Sequence, residues 1–163
     1  MKKWLVTAAI LLVTIGVVVY VVVAPSEEQK IRKVVQRLAR TVEPHPSANP
    51  ILEFARIKSE FDELLTERVE VAIPELCDIP SARKDLAQAA VQAGSRFGVA
   101  DIELIDIVIK VDDAKLRADV DTTASFRRST SALSREERRV HFSLRNDDRW
   151  RVSSINVSAA SPR

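Results

Sequence analysis

The chain has 163 residues, of which 46 % are hydrophobic and 29 % charged, a composition typical of a globular protein with the length of one domain. The formal net charge of +2 equals the contribution of Lys2 and Lys3, so the remaining chain is balanced and a globally basic nucleic-acid-binding protein is excluded. One cysteine and two histidines exclude a disulfide framework and a cysteine-rich zinc site, and we expect neither a metal nor a cofactor.

Residues 4–24 form an apolar run of 21 residues without a charge. As a helix it would span about 31 Å, the thickness of the hydrocarbon core of a bilayer. A cleaved signal peptide is the alternative, but its apolar region is usually only about 7–15 residues long. The best cleavage site, at Ala24, is followed by Pro25, which is unfavourable for cleavage. We therefore predict that residues 1–24 are a single-pass signal-anchor helix.

The orientation of this span follows from the charges beside it. Lys2 and Lys3 favour a cytoplasmic amino terminus, although basic residues also follow the span from Lys30 onwards. We predict that the second unit, residues 25–163, is a soluble domain outside the cytoplasmic membrane, to which the span attaches it.

Three helices are predicted at the start of this domain, each from a start signal followed by apolar residues at helical spacing. Ser26 and Gln29 form a capping box before the first helix. Asn49 caps the second helix, with Pro50 at its first position. Ser81 is the predicted cap of the third.

The pattern changes to strands in the second half of the chain. A short strand is predicted at 69–73, before the third helix, and alternating stretches follow at 102–111, 116–126, 140–145 and 150–157. Strands joined by tight turns are antiparallel. We therefore predict an α+β fold in which helices pack on one face of a curved antiparallel sheet.

The closing hairpin carries a resemblance to a known superfamily. It reads VHFSLRNDDRWRVSSINV, with Trp150 and Val152 at the start of the last strand. With the preceding order of helices and strands, residues 26–158 resemble the nuclear transport factor 2-like superfamily. The resemblance implies a cystatin-like cone, in which a bent sheet wraps around the helices and Trp150 closes the interior. The superfamily includes enzymes, binding modules and assembly factors, so the fold alone does not select a function.

A membrane helix followed by such a domain also resembles the assembly-factor subunits of type IV secretion systems. Those subunits usually carry a longer cytoplasmic tail than the three residues that precede the apolar run here.

The resemblance to isomerases and cyclases of the superfamily implies a carboxylate inside the cone, often opposite a tyrosine hydroxyl. The only tyrosine is Tyr20, within the predicted span, so the oxyanion-stabilising half of that machinery is missing from the soluble domain. Asp106 interrupts an apolar run and would be a general base if it faced an apolar cone. The alternative places Asp106 on the outer face of the sheet, together with Ile102, Leu104, Val108 and Lys110.

His141 is the second candidate catalytic residue. It could pair with Asp119 or Asp121 in a dyad similar to that of a dehydratase. Its position alternates with Val140 and Phe142, the predicted core residues, which places it on the outer face of the sheet instead.

Arginines are concentrated near the carboxyl end. Residues 127–163 contain nine arginines and four acidic residues. Five of them surround one inter-strand loop: Arg127, Arg128, Arg135, Arg138 and Arg139. They form either a solvated face or a basic platform for an acidic protein partner or anionic headgroups. Nucleic acid is not expected, because no aromatic residues interleave these arginines.

These observations favour a non-enzymatic, membrane-anchored interaction or assembly module of the cell envelope. The alternative is a small-ligand-binding or lyase/isomerase-type domain that uses the cone interior. A homodimer through the outer sheet face is a further candidate assembly. Converging polar groups inside the cone would favour the ligand-binding or enzyme alternative, and a cone filled by isoleucine, valine and phenylalanine side chains and Trp150 would favour the interaction module.

Overall fold

The computed structural model describes residues 25–43, 49–74, 79–97, 99–128 and 135–159. Three helices and five strands lie in these ranges. The helices are α1 (Glu27–Thr41), α2 (Pro50–Leu64) and α3 (Arg83–Phe97). The strands are β1 (Leu65–Ala72), β2 (Val99–Val111), β3 (Arg117–Arg128), β4 (Arg135–Asn146) and β5 (Trp150–Ala159).

The predicted start signals of the first two helices are confirmed. The hydroxyl of Ser26 accepts a hydrogen bond from the backbone N–H of Gln29 at 3.2 Å. The Asn49 side chain accepts one from the N–H of Ile51 at 2.9 Å, and Pro50 occupies the first helical position. These contacts satisfy N–H groups that an α-helix leaves unpaired at its amino end.

The five strands form one mixed sheet in the order β1-β5-β4-β3-β2. Strands β2 to β5 are antiparallel neighbours, as predicted, whereas β1 runs parallel to β5. The prediction of a wholly antiparallel sheet is therefore wrong. It relied on tight turns, and no tight turn connects β1 to β5: 77 residues lie between the end of β1 at Ala72 and the start of β5 at Trp150.

The helices cover one face of this curved sheet, which confirms the α+β arrangement. Ile31 and Val35 of α1 are fully buried against the sheet, as are Val120 of β3 and Val152 of β5. The residues that alternate with this core face outwards and are mostly polar. We call the two faces the inner face and the outer face.

Helix α1 runs along the free edge of β2 and thereby defines two ends of the domain. Near its start, Arg32 donates a hydrogen bond to the carbonyl oxygen of Ile107. Beyond its last turn, the carboxylate of Glu43 accepts one from the N–H of Ile102 at 3.2 Å. We call residues 26–30, 112–117 and 146–151 the turn end, because both tight hairpin turns lie there. Residues 38–42, 102–104 and 124–127 form the cavity end.

Trp150 lies at the turn end. It is buried, as predicted, with 5 % of its surface exposed. Its ring nitrogen donates a hydrogen bond to Oε2 of Glu27 at 2.7 Å, so the ring closes the turn end beneath the first turn of α1.

The predicted membrane span at residues 4–24 lies outside the described residues. Within the ranges that the structure describes, no helix is both long and apolar enough to cross a membrane.

Candidate functional site

A cavity of about 460 Å³ lies between the carboxyl half of α1, helix α3 and the inner face of the sheet. Every described side chain that lines it is aliphatic, aromatic or a proline. The lining includes the large side chains of Leu38, Phe61, Leu86, Leu104, Phe126 and Phe142. The volume is within the usual range of small-molecule pockets.

Helix α3 explains why the space is not filled. It faces the sheet with Ala89, Ala90 and Ala93, which line the cavity with single methyl groups. Leu86, the larger side chain at the start of the same helix, both belongs to the core cluster and lines the cavity. An apolar cavity of this size binds water poorly, because water needs several polar partners, whereas an apolar group loses little on entering it.

The cavity contains no acid–base pair among the described side chains that line it. General acid–base catalysis requires a titratable group within hydrogen-bonding reach of the substrate proton. Both candidate groups from the sequence, Asp106 and His141, lie on the other side of the sheet, where they line a second pocket of about 650 Å³.

Asp106 lies at a β-bulge of β2. Ile105 pairs with Thr123 and Val108 with Asp121, so three steps along β2 oppose two along β3. Asp106 has φ of 54°, in the left-handed region, and its side chain is exposed.

This bulge changes which residues of β2 face inwards. Before it, Ile102 and Leu104 line the cavity, whereas after it Val108 is exposed on the outer face. A strand without a bulge would place all three on one face, as the outer-face alternative assumed. That grouping of Asp106 with Ile102 and Leu104 is therefore wrong, although Asp106 itself is exposed.

His141 pairs with two carboxylates on the outer face. Its Nδ1 lies 2.8 Å from Oδ1 of Asp121, the residue directly opposite it on β3. Its Nε2 lies 3.5 Å from Oδ1 of Asp119, which also accepts a hydrogen bond from the hydroxyl of Ser143 at 3.0 Å. The histidine side chain is 43 % exposed and each carboxylate 57 % exposed. The structure thus forms the dyad that the sequence indicated, but on an open surface, where water screens its charges.

The predicted arginine platform is divided between the two faces of the sheet. Arg127 and Arg139 are exposed on the outer face. Arg138 alternates with Arg139 and shares the face of Val140, where it pairs with Glu136 at 2.8 Å. The side chains of the other two, Arg128 and Arg135, lie outside the described part of the chain.

No sequence pattern indicated the polar network at the turn end. The Glu27 carboxylate accepts hydrogen bonds from Lys30, at 2.7 Å, and from the Trp150 ring. Both bonds favour the charged form, and the cation of Lys115 adds to them, so the pKa of Glu27 lies below its usual value. Glu27 and Trp150 are 123 residues apart, and no local pattern links them.

A second ion-pair network joins α1 to α2. Arg37 binds Glu60 through Nε at 2.6 Å and Glu63 through Nη2 at 2.8 Å. The hydrogen bond from Arg37 lowers the pKa of Glu60. This network holds the two helices together beside the turn end.

Comparison with solved structures identifies the fold. A nuclear transport factor 2-like protein with a cystatin-like fold from Novosphingobium aromaticivorans aligns with a TM-score of 0.61 and 14 % identity, over 84 % of each chain. A protein of unknown function with a cystatin-like fold from Nostoc punctiforme aligns with a TM-score of 0.60 and 12 % identity, over 83 % of this chain and 93 % of that one. A proposed dehydratase of the nuclear transport factor 2-like family from Streptomyces avermitilis aligns with a TM-score of 0.60 and 15 % identity, over 82 % and 95 %.

No protein-family model matches the sequence, and the curated proteins contain no match to it. At identities this low the structural similarity shows the fold alone. The chain has the cystatin-like fold of nuclear transport factor 2-like proteins, as the closing hairpin and the order of elements predicted.

Proposed function

We propose that this protein is a non-enzymatic interaction module of the cell envelope, anchored in the cytoplasmic membrane by residues 4–24, whose cone cavity receives an apolar group of its partner. The observation that supports it is the apolar cavity itself, whose described lining offers no group for acid–base chemistry. The enzyme alternative, a lyase or isomerase that uses the cone, would need a carboxylate or histidine among the side chains that line the cavity, and its described lining contains neither.

The charge near the cavity end gives the partner a further property. Arg127 and Arg139 are exposed at this end, and the described residues contain no ion-pair partner for Arg139. Because both arginines lie on the outer face and the cavity on the inner face, the partner would have to extend over this end of the sheet, with its apolar group in the cavity and its acidic residues beside the arginines. Exposed arginines attract an acidic partner over about one Debye length, roughly 8 Å at physiological salt. The partner proposed is therefore an acidic protein.

The proposal is tested by filling the cavity in the full-length protein. Ala90→Phe places a ring in the cavity, whereas Ala55→Phe makes the same change at an exposed position of α2. Crosslinking in intact cells should capture the partner with the wild type and Ala55→Phe, but not with Ala90→Phe.

Two further variants address the enzyme alternative. Asp106→Asn and His141→Ala should leave capture and the cellular phenotype unchanged, because neither side chain lines the cavity and neither is one of the arginines proposed to attract the partner. Loss of the phenotype in Asp106→Asn or His141→Ala, with the phenotype intact in Ala90→Phe, would contradict the proposal and favour an enzyme.

The membrane topology requires its own experiment. A reporter that is active only outside the cytoplasm, fused after Arg163, should be active, and the chain should migrate at full length on a denaturing gel. Activity of a cytoplasmic reporter instead would reverse the orientation. A product shortened by about 24 residues would indicate a cleaved signal peptide.

A further inference from the structure

The connection between the apolar run and the domain is very short. Helix α1 begins at Glu27 and is capped by Ser26, so only Pro25 and Ser26 separate it from residue 24. Two residues span at most about 7 Å. If residues 4–24 cross the bilayer, as the proposed function requires, the first turn of α1 lies at the lipid headgroups.

Two other segments lie at the same end of the domain as this turn. The N–H of Asn146 donates to the carbonyl oxygen of Leu116 at 2.9 Å, and the Asn146 side chain donates to that of Lys115 at 3.0 Å. These bonds join the β2–β3 turn to the β4–β5 turn. The bond from Trp150 to Glu27 then joins the second turn to α1.

The β2–β3 turn has a fixed shape. Oδ1 of Asp112 accepts hydrogen bonds from the N–H groups of Leu116, at 2.8 Å, and Arg117, at 3.0 Å. Lys115 adopts a left-handed backbone conformation, with φ of 56°, which completes the reversal of chain direction between β2 and β3. Leu116 is left 57 % exposed at the tip, where no described core residue covers it.

We propose that the turn end rests on the bilayer surface, with Leu116 in the lipid interface and the cavity end directed away from the membrane. The geometry supports this orientation because three connected segments, rather than one, lie beside the point where the chain leaves the apolar run. Single exposed leucines are common on the surfaces of soluble proteins. Here, however, Pro25 and Ser26 link the domain directly to the proposed membrane span, so Leu116 is kept near the lipid at a high effective concentration.

The charges of the turn end determine which lipids it needs. Its three segments contain six acidic and five basic residues, so it has almost no net charge. Attraction to anionic headgroups therefore does not drive the contact. Lys115 can extend its ammonium group to a lipid phosphate while its methylene stem lies beside Leu116. The contact should form on a zwitterionic bilayer.

This orientation limits where the ligand of the cavity comes from. Helix α1 has 15 residues and is about 22 Å long, and its last turns, from Leu38 to Val42, line the cavity. The cavity is thereby held at a distance from the lipid tails below it. The apolar group that enters the cavity must therefore come from the aqueous side, as part of a partner that approaches the domain.

Two exposed leucines at opposite ends of the domain provide a matched test. Leu116 is at the turn end, and Leu52, which is 68 % exposed, lies near the start of α2. Arg56, one turn after Leu52, donates to the carbonyl oxygen of Thr41 at the end of α1, which places Leu52 near the cavity end. Leu116→Cys and Leu52→Cys would each be made in a full-length chain whose one cysteine is replaced, Cys77→Ser.

The chains would be reconstituted in phosphatidylcholine nanodiscs and labelled with a fluorophore. Iodide in the buffer reports exposure to water, and a lipid carrying a nitroxide reports contact with the bilayer. We expect iodide to quench the label at position 116 several-fold less than the label at position 52, and the nitroxide lipid to quench only the former. A label at Lys115→Cys should behave like that at 116 and serves as a second position if Leu116→Cys does not fold.

The outcomes separate the inference from the proposed function. If the chain co-elutes with the nanodiscs but iodide quenches both labels equally, the orientation is wrong and the anchor stands. If the chain does not co-elute with the nanodiscs, the anchor is wrong, and the orientation is wrong with it.

Discussion

At the turn end of the domain, charged side chains close over a buried aromatic ring, whereas at the cavity end apolar side chains surround a cavity. Trp150 is enclosed and hydrogen-bonded to Glu27. Ala90 and the other alanines of α3 leave a volume of about 460 Å³ at the opposite side of the core. The two ends therefore differ in packing: the turn end is filled, as protein interiors usually are, whereas the cavity end leaves the volume that the proposed partner would enter.

The largest effect is expected at Trp150. Trp150→Ala should lower the free energy of unfolding of residues 25–163 by about 3–5 kcal/mol, the usual range for a buried aromatic side chain. Trp150→Phe should cost less, about 1.5–3 kcal/mol, the usual contribution of a hydrogen bond to a charged group, because it removes the bond to Glu27 but keeps an aromatic ring. Urea denaturation followed by circular dichroism measures both. A loss below about 1 kcal/mol for Trp150→Ala would place the ring on the surface.

A smaller and opposite effect is expected at the cavity. Adding methylenes to a packed core usually costs about 1–3 kcal/mol. Ala87 is fully buried in α3 but does not line the cavity, so Ala87→Leu should have that cost. Ala90 lines the cavity. Ala90→Leu should therefore change the free energy of unfolding by less than about 1 kcal/mol, because the added atoms enter the cavity. Equal losses in the two variants would mean that the cavity end is as tightly packed as the rest.

Acid should weaken the turn end selectively. The pKa of Glu27 is lowered in the folded protein, by the hydrogen bond from Lys30 first and that from Trp150 second. A lowered pKa gives stability that is present above the unfolded pKa, about 4.3 for glutamate, and is lost as the pH falls through the folded pKa. The stability difference between the wild type and Glu27→Gln should therefore shrink as the pH is lowered from 7 to 3. A constant difference over this range would show that the carboxylate does not contribute through its charge.

The smallest effect on stability is expected for the exposed arginines. Arg127→Glu and Arg139→Glu should each change the free energy of unfolding by less than about 0.5 kcal/mol, as is usual for surface substitutions. Partner capture in cells should nevertheless fall, and in vitro binding of the captured partner should weaken as salt is raised. Lys33→Glu, the same change of charge at an exposed position of α1, is the control. Unchanged capture in both arginine variants would leave the apolar cavity as the only binding determinant.

The parts of the fold that the sequence predicted depend on local signals. Ser26 and Asn49 cap their helices through bonds that span three and two residues. The hairpins from β2 to β5 follow from alternation and short turns. These interactions form between near neighbours, so a pattern of a few residues specifies them.

The parts that could not be predicted depend on distant contacts or on a single irregular residue. The direction of β1 is determined by its pairing with β5 at the other end of the chain. The bulge at Asp106 shifts the alternation of β2 by one residue, and strict alternation therefore assigned Leu104 to the wrong face. The arginine run looked continuous in sequence, but adjacent strand residues such as Arg138 and Arg139 point to opposite faces.

The most direct test asks whether the cavity or the centre of the outer face contacts the partner in living cells. A photoreactive benzoylphenylalanine would be incorporated into the full-length chain, in one case at Ala93, which lines the cavity but is exposed, so that the probe does not have to fill the cavity. In the other case it would replace Val108, beside Asp121 on the outer face. After irradiation, mass spectrometry of the purified chain identifies any covalent adduct. We expect an adduct at position 93 and none at position 108. An adduct at 108 with none at 93 would contradict the cavity as the binding site and assign function to the centre of the outer face instead.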